Sequence, residues 1–245
     1  MRNLYYLFLS ILIVGCGGHW FGYRNFVGPV RPVPDEQQGK EMRVSDDGTV
    51  TYVQERLEIG IQPVSDTELN ATFAAASKGA VTSTNPYTFG DWTPPGEEET
   101  PSRFTVIRLK VKNYQFPKMS VDPLKAEIVT SNGRWYKPFN ITELENYFYR
   151  YSIGYAGLED TRFERRKDIL KQTMYEDVPI FSGQEKEGYM LFPPLHDDIT
   201  AFSVHLKDVV LEFDYRNEPI KTIGNLVFNF QREVYKARQP RREMR

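Results

Sequence analysis

Apolar and charged side chains alternate strictly through residues 103–112: Ile107, Leu109 and Val111 fall between Arg108, Lys110 and Lys112. Successive side chains of a strand point to opposite faces, so this stretch makes a strand with one apolar and one wet face. The same period runs through Val209, Leu211, Phe213 and Tyr215. It is out of phase with Phe202, Val204 and Leu206, which predicts a turn or bulge at Lys207-Asp208. Residues 49–62 read as one strand entered through the Asp47-Gly48 turn, with Val53, Leu57, Ile59 and Ile61 on one face. Further strands are expected over 117–130, 188–192 and 225–234, and Ser131-Asn132-Gly133 is expected to turn the chain into Trp135-Tyr136. About seven short period-two strands separated by turns predict an all-β fold, an antiparallel β-sandwich. A parallel α/β sheet is disfavoured because strands do not alternate with helices.

Two helices interrupt the strands. Asn140 with Glu143 makes a capping-box start for residues 141–151, and Thr161 with Glu164 does the same for 162–174. Phe163, Leu170 and Met174 then share one face. The pair reads as a helical insertion over about residues 141–175 of a domain spanning 46–235. Residues 69–78 fit a short strand or helix, and residues 80–100, rich in Thr, Pro, Gly and Glu, read as a long loop, functional or flexible.

Hydrophobic residues make up 40% of the 245, enough for a sizeable core. A net charge of -2 argues against a nucleic-acid binder that works by bulk charge. With one cysteine and three histidines, no disulfide within the chain and no thiolate zinc cluster can form. No cofactor is expected, since no glycine-rich loop opens a helix.

The N-terminus carries an address. Arg2 precedes an apolar run over residues 4–14, too short for a transmembrane helix of about 20 apolar residues. The run ends in Ile13-Val14-Gly15-Cys16. This resembles the lipobox of bacterial lipoproteins, with Ile13 in place of the commoner Leu and Val14 in place of the commoner Ala or Ser. The resemblance implies a signal peptide over 1–15, lipid on Cys16 and a membrane anchor. Gly17 is not aspartate, so the inner-membrane retention signal of that family is absent, which favours the outer membrane. Residues 16–45, punctuated by Gly28-Pro29, Pro32 and Pro34, read as a tether. Its aromatics either lie on the membrane interface or pack on the body. Residues 236–245 read as a basic tail.

Residues 104–230 also resemble an immunoglobulin-like domain of unknown function common in bacterial lipoproteins. The resemblance rests on a strand over 104–113 ending in a Lys-Asn pair, on Ser120-Val121-Asp122-Pro123, and on Gly183, Gly188-Tyr189 and Phe192. It implies an immunoglobulin-like sandwich at the cell envelope and no activity.

No residue stands out as catalytic. His196-Asp197-Asp198, Glu97–Glu99 and Asp46-Asp47 are ordinary loop composition, and no nucleophile motif surrounds His205. The densest aromatic run, Tyr147, Phe148, Tyr149, Tyr151 and Tyr155, fits either core packing or a partner surface, with Trp92 and Trp135 as neighbours. The reading is a non-enzymatic, membrane-anchored interaction module with an envelope protein partner. The alternative is a lipid-anchored hydrolase or carbohydrate-binding protein that uses the aromatic insert and the long loop. A pocket holding His196 or His205 beside a carboxylate would favour the enzyme, and a helix-covered apolar cavity would favour a small-ligand carrier.

Overall fold

Charged side chains on one face and apolar ones on the other put the strand at 105–113 inside a sheet with one face buried. The computed structural model describes residues 23–95, 97, 100–153 and 160–238. Numbered along the chain, the strands are β1 (Tyr23–Val27), β2 (Arg31–Pro32), β3 (Met42–Val44), β4 (Val50–Gln54), β5 (Leu57–Val64), β6 (Thr105–Asn113), β7 (Lys118–Met119), β8 (Glu127–Thr130), β9 (Trp135–Tyr136), β10 (Ile180–Phe181), β11 (Gln184–Phe192), β12 (Ala201–Phe213), β13 (Pro219–Gln231) and β14 (Val234–Arg238). The helices are α1 (Asp66–Thr72), α2 (Ala74–Ser77), α3 (Ile141–Ile153) and α4 (Asp160–Thr173).

One five-stranded sheet has the order β11-β6-β5-β4-β3, the other β2-β13-β12-β8-β9. The fold is a β-sandwich with a small helical insertion. Ile107, Leu109 and Val111 of β6 and Ile59 and Ile61 of β5 bury against Val204 and Leu206 of β12 and Phe228 of β13. On the wet face of β6, Lys112 meets Glu58 at 2.7 Å and Arg108 meets Glu68 at 2.7 Å. Lys110 lies between Glu185 and Glu187 at 3.7 and 3.8 Å. Such partly exposed pairs add little stability each. At the end of β6 the buried Asn113 donates to the carbonyls of Phe116 and Ile180 at 2.8 and 2.9 Å, and its Oδ1 accepts from the Phe116 amide at 2.8 Å. The Lys-Asn strand end therefore ties the following turn to β10.

The phase change at Lys207-Asp208 is met inside one continuous strand. Asp208 adopts φ 53, and the ladder passes from Lys207↔Asn225 to Val209↔Ile223. Asp208 and Gly224 drop out of it together, so both strands change face at once. Val204 and Leu206 before the irregularity, and Val209 and Leu211 after it, all reach the core.

Residues 49–62 are not one strand. Glu55 and Arg56 turn β4 back on β5, with Glu55 at φ 54 and Gln54 opposite Leu57. Val50 and Tyr52 share the core with Leu57, Ile59 and Ile61, whereas Val53, opposite Glu58, faces the other way. No Gly or Asn marks this turn, which hid the break. The segment read as a tether contributes strands from residue 23 onward. β1 pairs with β14, β2 with β13 and β3 with β4. Side-chain bonds hold it where periodicity is lacking: Gln38 donates to the carbonyls of Val33 and Asn229, and Asp35 accepts from the Val44 amide at 2.7 Å. β14 likewise runs two residues past 236, into the stretch read as tail.

A second core lies on the outer face of the first sheet. Val64, Val106, Tyr189 and Leu191 carry it from the strands, Leu69 from α1, Leu144 and Phe148 from α3, and Leu170 from α4. The loop at 83–92 is closed over this core rather than loose. Tyr87 is fully buried, its hydroxyl bonds Thr173, and Asn85 donates to Ser77 at 2.8 Å and Asn70 at 3.2 Å.

Candidate functional site

The ends of α3 and α4 that meet the edge of β11 are fixed by local chemistry. Asn140 Oδ1 accepts from the Glu143 amide and Glu143 Oε2 accepts from the Asn140 amide, both at 2.9 Å, a complete capping box. Just before it, the Phe139 amide donates to the Leu191 carbonyl at 2.8 Å, docking the start of α3 on β11. After α4 the Tyr175 amide donates to the Tyr189 carbonyl at 2.9 Å, and Met174 bridges Tyr189 in parallel sense. This crossing runs directly over Gly188, where an added Cβ would lie 2.6 Å from the Tyr175 backbone. Asp122 caps a short 3-10 turn at Pro123–Lys125, its Oδ1 accepting from the Leu124 amide at 2.9 Å.

Together these segments enclose a cleft of about 450 Å³. Its walls are Pro123, Leu124, Pro138, Phe139, Ile141, Leu170, Met174, Tyr189 and Met190, and its polar groups are Asp122, Asn140, Lys171, Tyr175, Glu176 and Asp177. Tyr175 is 3% exposed, and its hydroxyl is buried without a hydrogen-bond partner. Burial and the charge of Asp177 push that hydroxyl's pKa up. The Asp177 carboxyl is itself held above the usual range, first by desolvation and then by Asp122, against the opposing pull of Lys125 and Lys186. Lys186 lies 5.3 Å from the centre of the Tyr175 ring, and burial lowers its pKa. Lys171 turns to Glu145 at 3.7 Å.

The aromatic residues singled out by sequence do not form one patch. Trp135 lies on β9, at the edge of the second sheet, 64% exposed. Tyr147 packs on Phe104 at 5.3 Å within the second core, whereas Tyr149, on the same helix, is 52% exposed and 6.1 Å from Phe163. Trp92 is half-buried against Phe89. Tyr151 lies near the end of α3 with its side chain outside the described residues, and Tyr155 and Cys16 lie outside them altogether. Trp92, Trp135, Tyr147 and Tyr149 do not line the cleft. His205 Nδ1 bonds Asn225 at 3.1 Å and Asp198 pairs with Arg134 at 2.8 Å; His196 and His205 do not line the cleft. Among the described residues, no three His, Cys, Asp or Glu side chains are placed to hold a metal.

The cleft's acidic residues carried no signal of their own, because Asp122 reaches Asp177 only through the fold. The sequence did mark its two helical walls, through the capping box and the apolar face of α4. No family model, curated protein or solved structure matches this chain.

Proposed function

We propose that this chain is a lipid-anchored lipoprotein of the bacterial envelope that works as a non-catalytic interaction or accessory module and takes its ligand in the cleft beneath α3 and α4. The anchor rests on the apolar run ending in Ile13-Val14-Gly15-Cys16. Each buried methylene contributes about 0.8 kcal/mol, so two or three acyl chains on Cys16 would make release negligible. Gly17 favours the outer membrane over the inner.

The observation that carries the binding role is the cleft itself. A concave, mostly apolar wall with a few convergent polar groups is the form of a small-ligand site, and its volume of about 450 Å³ falls in the range of such sites, about 300–1,000 Å³. A protein partner is the second reading, favoured by Trp135 on the short edge strand β9, where an added strand would dock.

Fractionation of a bacterial host expressing the full chain tests the anchor. Wild type is expected in the outer-membrane fraction and the Cys16→Ala form away from it. Equal outer-membrane association of both forms would refute lipid anchoring at Cys16.

A further inference from the structure

β1 and β14 pair with each other and join neither five-stranded sheet, so they form a two-stranded ribbon of their own. Its base is Val27 opposite Val234, closed by the Gly28 amide donating to the Glu233 carbonyl at 2.8 Å. Its free end is Tyr23 opposite Arg238, about 14 Å further on at the rise of a strand. The two strands of 5 residues each carry three cations, Arg24, Lys236 and Arg238, and no acid, although the whole chain has a net charge of -2. Phe26 stacks on Tyr235 across the ribbon with ring centres 6.3 Å apart, and Tyr235 is 57% exposed with Lys236 exposed beside it. A two-stranded ribbon is marginal in water unless something covers it. Aromatic rings next to cations suit a membrane–water interface, where the ring lies at headgroup level and the cation meets anionic lipid.

The position of Cys16 in the chain limits what can cover the ribbon. Tyr23 follows Cys16 by seven residues, so even a fully extended chain keeps the free end within about 25 Å of Cys16. The pairing of Tyr23 with Arg238 brings the C-terminal strand to the same place. We infer that the β1–β14 ribbon meets, free end first, the anionic phospholipid surface of the leaflet that holds the Cys16 anchor. The inference rests on the anchor reading and adds a second contact between the body and the membrane. Each basic residue near an anionic leaflet is worth about fivefold in affinity, and a basic patch is an established complement to an acyl anchor.

Hydrogen exchange on the lipidated protein, reconstituted into vesicles of phosphatidylcholine alone or mixed equally with phosphatidylglycerol, tests this. Amides of residues 23–27 and 234–238 are expected to exchange about tenfold slower on the anionic vesicles, and high salt is expected to remove the difference. Residues 214–218, at the opposite end of β13 and about 40 Å along it, are expected to exchange alike on both. A variant carrying Arg24→Gln, Lys236→Gln and Arg238→Gln is expected to lose the difference while matching wild type on neutral vesicles, where the ribbon needs no lipid charge. Equal exchange of the wild-type ribbon on both vesicles, with acyl mass present on Cys16, would overturn the ribbon contact and leave the anchor standing. A difference that survives high salt or the triple variant would overturn the role of the cations. A purified chain without an acyl group on Cys16 would overturn the anchor and, with it, this inference.

Discussion

At the scale of single residues, close backbone approach decides more here than side-chain chemistry. Gly188 sits under the Tyr175 backbone, and a methyl group there has only 2.6 Å. Gly188→Ala must therefore push the strand after α4 off β11 and open the acidic end of the cleft. The expected loss is about 1–3 kcal/mol, the cost of overpacking a closed site. Gly224, in the other sheet, has nothing within 4 Å of its added Cβ and does not adopt a left-handed conformation. Gly224→Ala is expected to be neutral or to stabilise by about 0.4–1 kcal/mol, through the unfolded chain. Denaturant melts of the two variants against wild type separate the cases, and equal effects would refute the crossing over Gly188.

At the scale of elements, the helical layer is joined to the sandwich through one cluster of side chains. Leu144, Phe148 and Leu170 meet Val106 and Leu191 on the outer face of the first sheet, away from the central core. Leu144 is fully buried, so Leu144→Ala is expected to cost about 2–5 kcal/mol. The loss should be local first. Hydrogen exchange is expected to speed up in α3 and α4 while β6 and β12 keep their protection, because Ile107 and Val204 stay packed in the other core. Uniform loss of protection would mean that the two cores unfold as one.

This separation also explains what was legible in the sequence. Alternation on β6 and β12 is unmistakable, because each has a wet face or a clean break in phase. The capping box at Asn140 announced α3 and is formed as expected. The β4–β5 turn was hidden because Glu55 takes a left-handed φ without glycine. β2 and β3 were hidden because strands of two and three residues have no measurable period. Of the cleft, only its helical walls could be read. Asp122 and Asp177 are separated along the chain and meet through tertiary packing, so no local pattern joins them.

At the scale of the molecule, the described residues are built in three layers: helices, the first sheet whose outer face they cover, and the second sheet. The central core between the sheets has no functional feature and serves as a rigid base. The helical layer adds a smaller core and leaves the cleft between α3, α4 and the edge of β11. A lipid anchor at Cys16 would hold this body near a membrane, where its ligand would have to be delivered or sensed.

The central claim is that this cleft, and not the sandwich interior or an exposed aromatic patch, is where a small guest enters. The measurement that tests it most directly is methyl-resolved NMR of the full chain carrying Cys16→Ala during titration with phenethyl alcohol. The account predicts shifts confined to the methyls of Leu124, Ile141, Leu170 and Met174, with Ile59, Ile107 and Leu226 in the central core unmoved. Shifts centred on the core methyls, or none at the cleft, would contradict it.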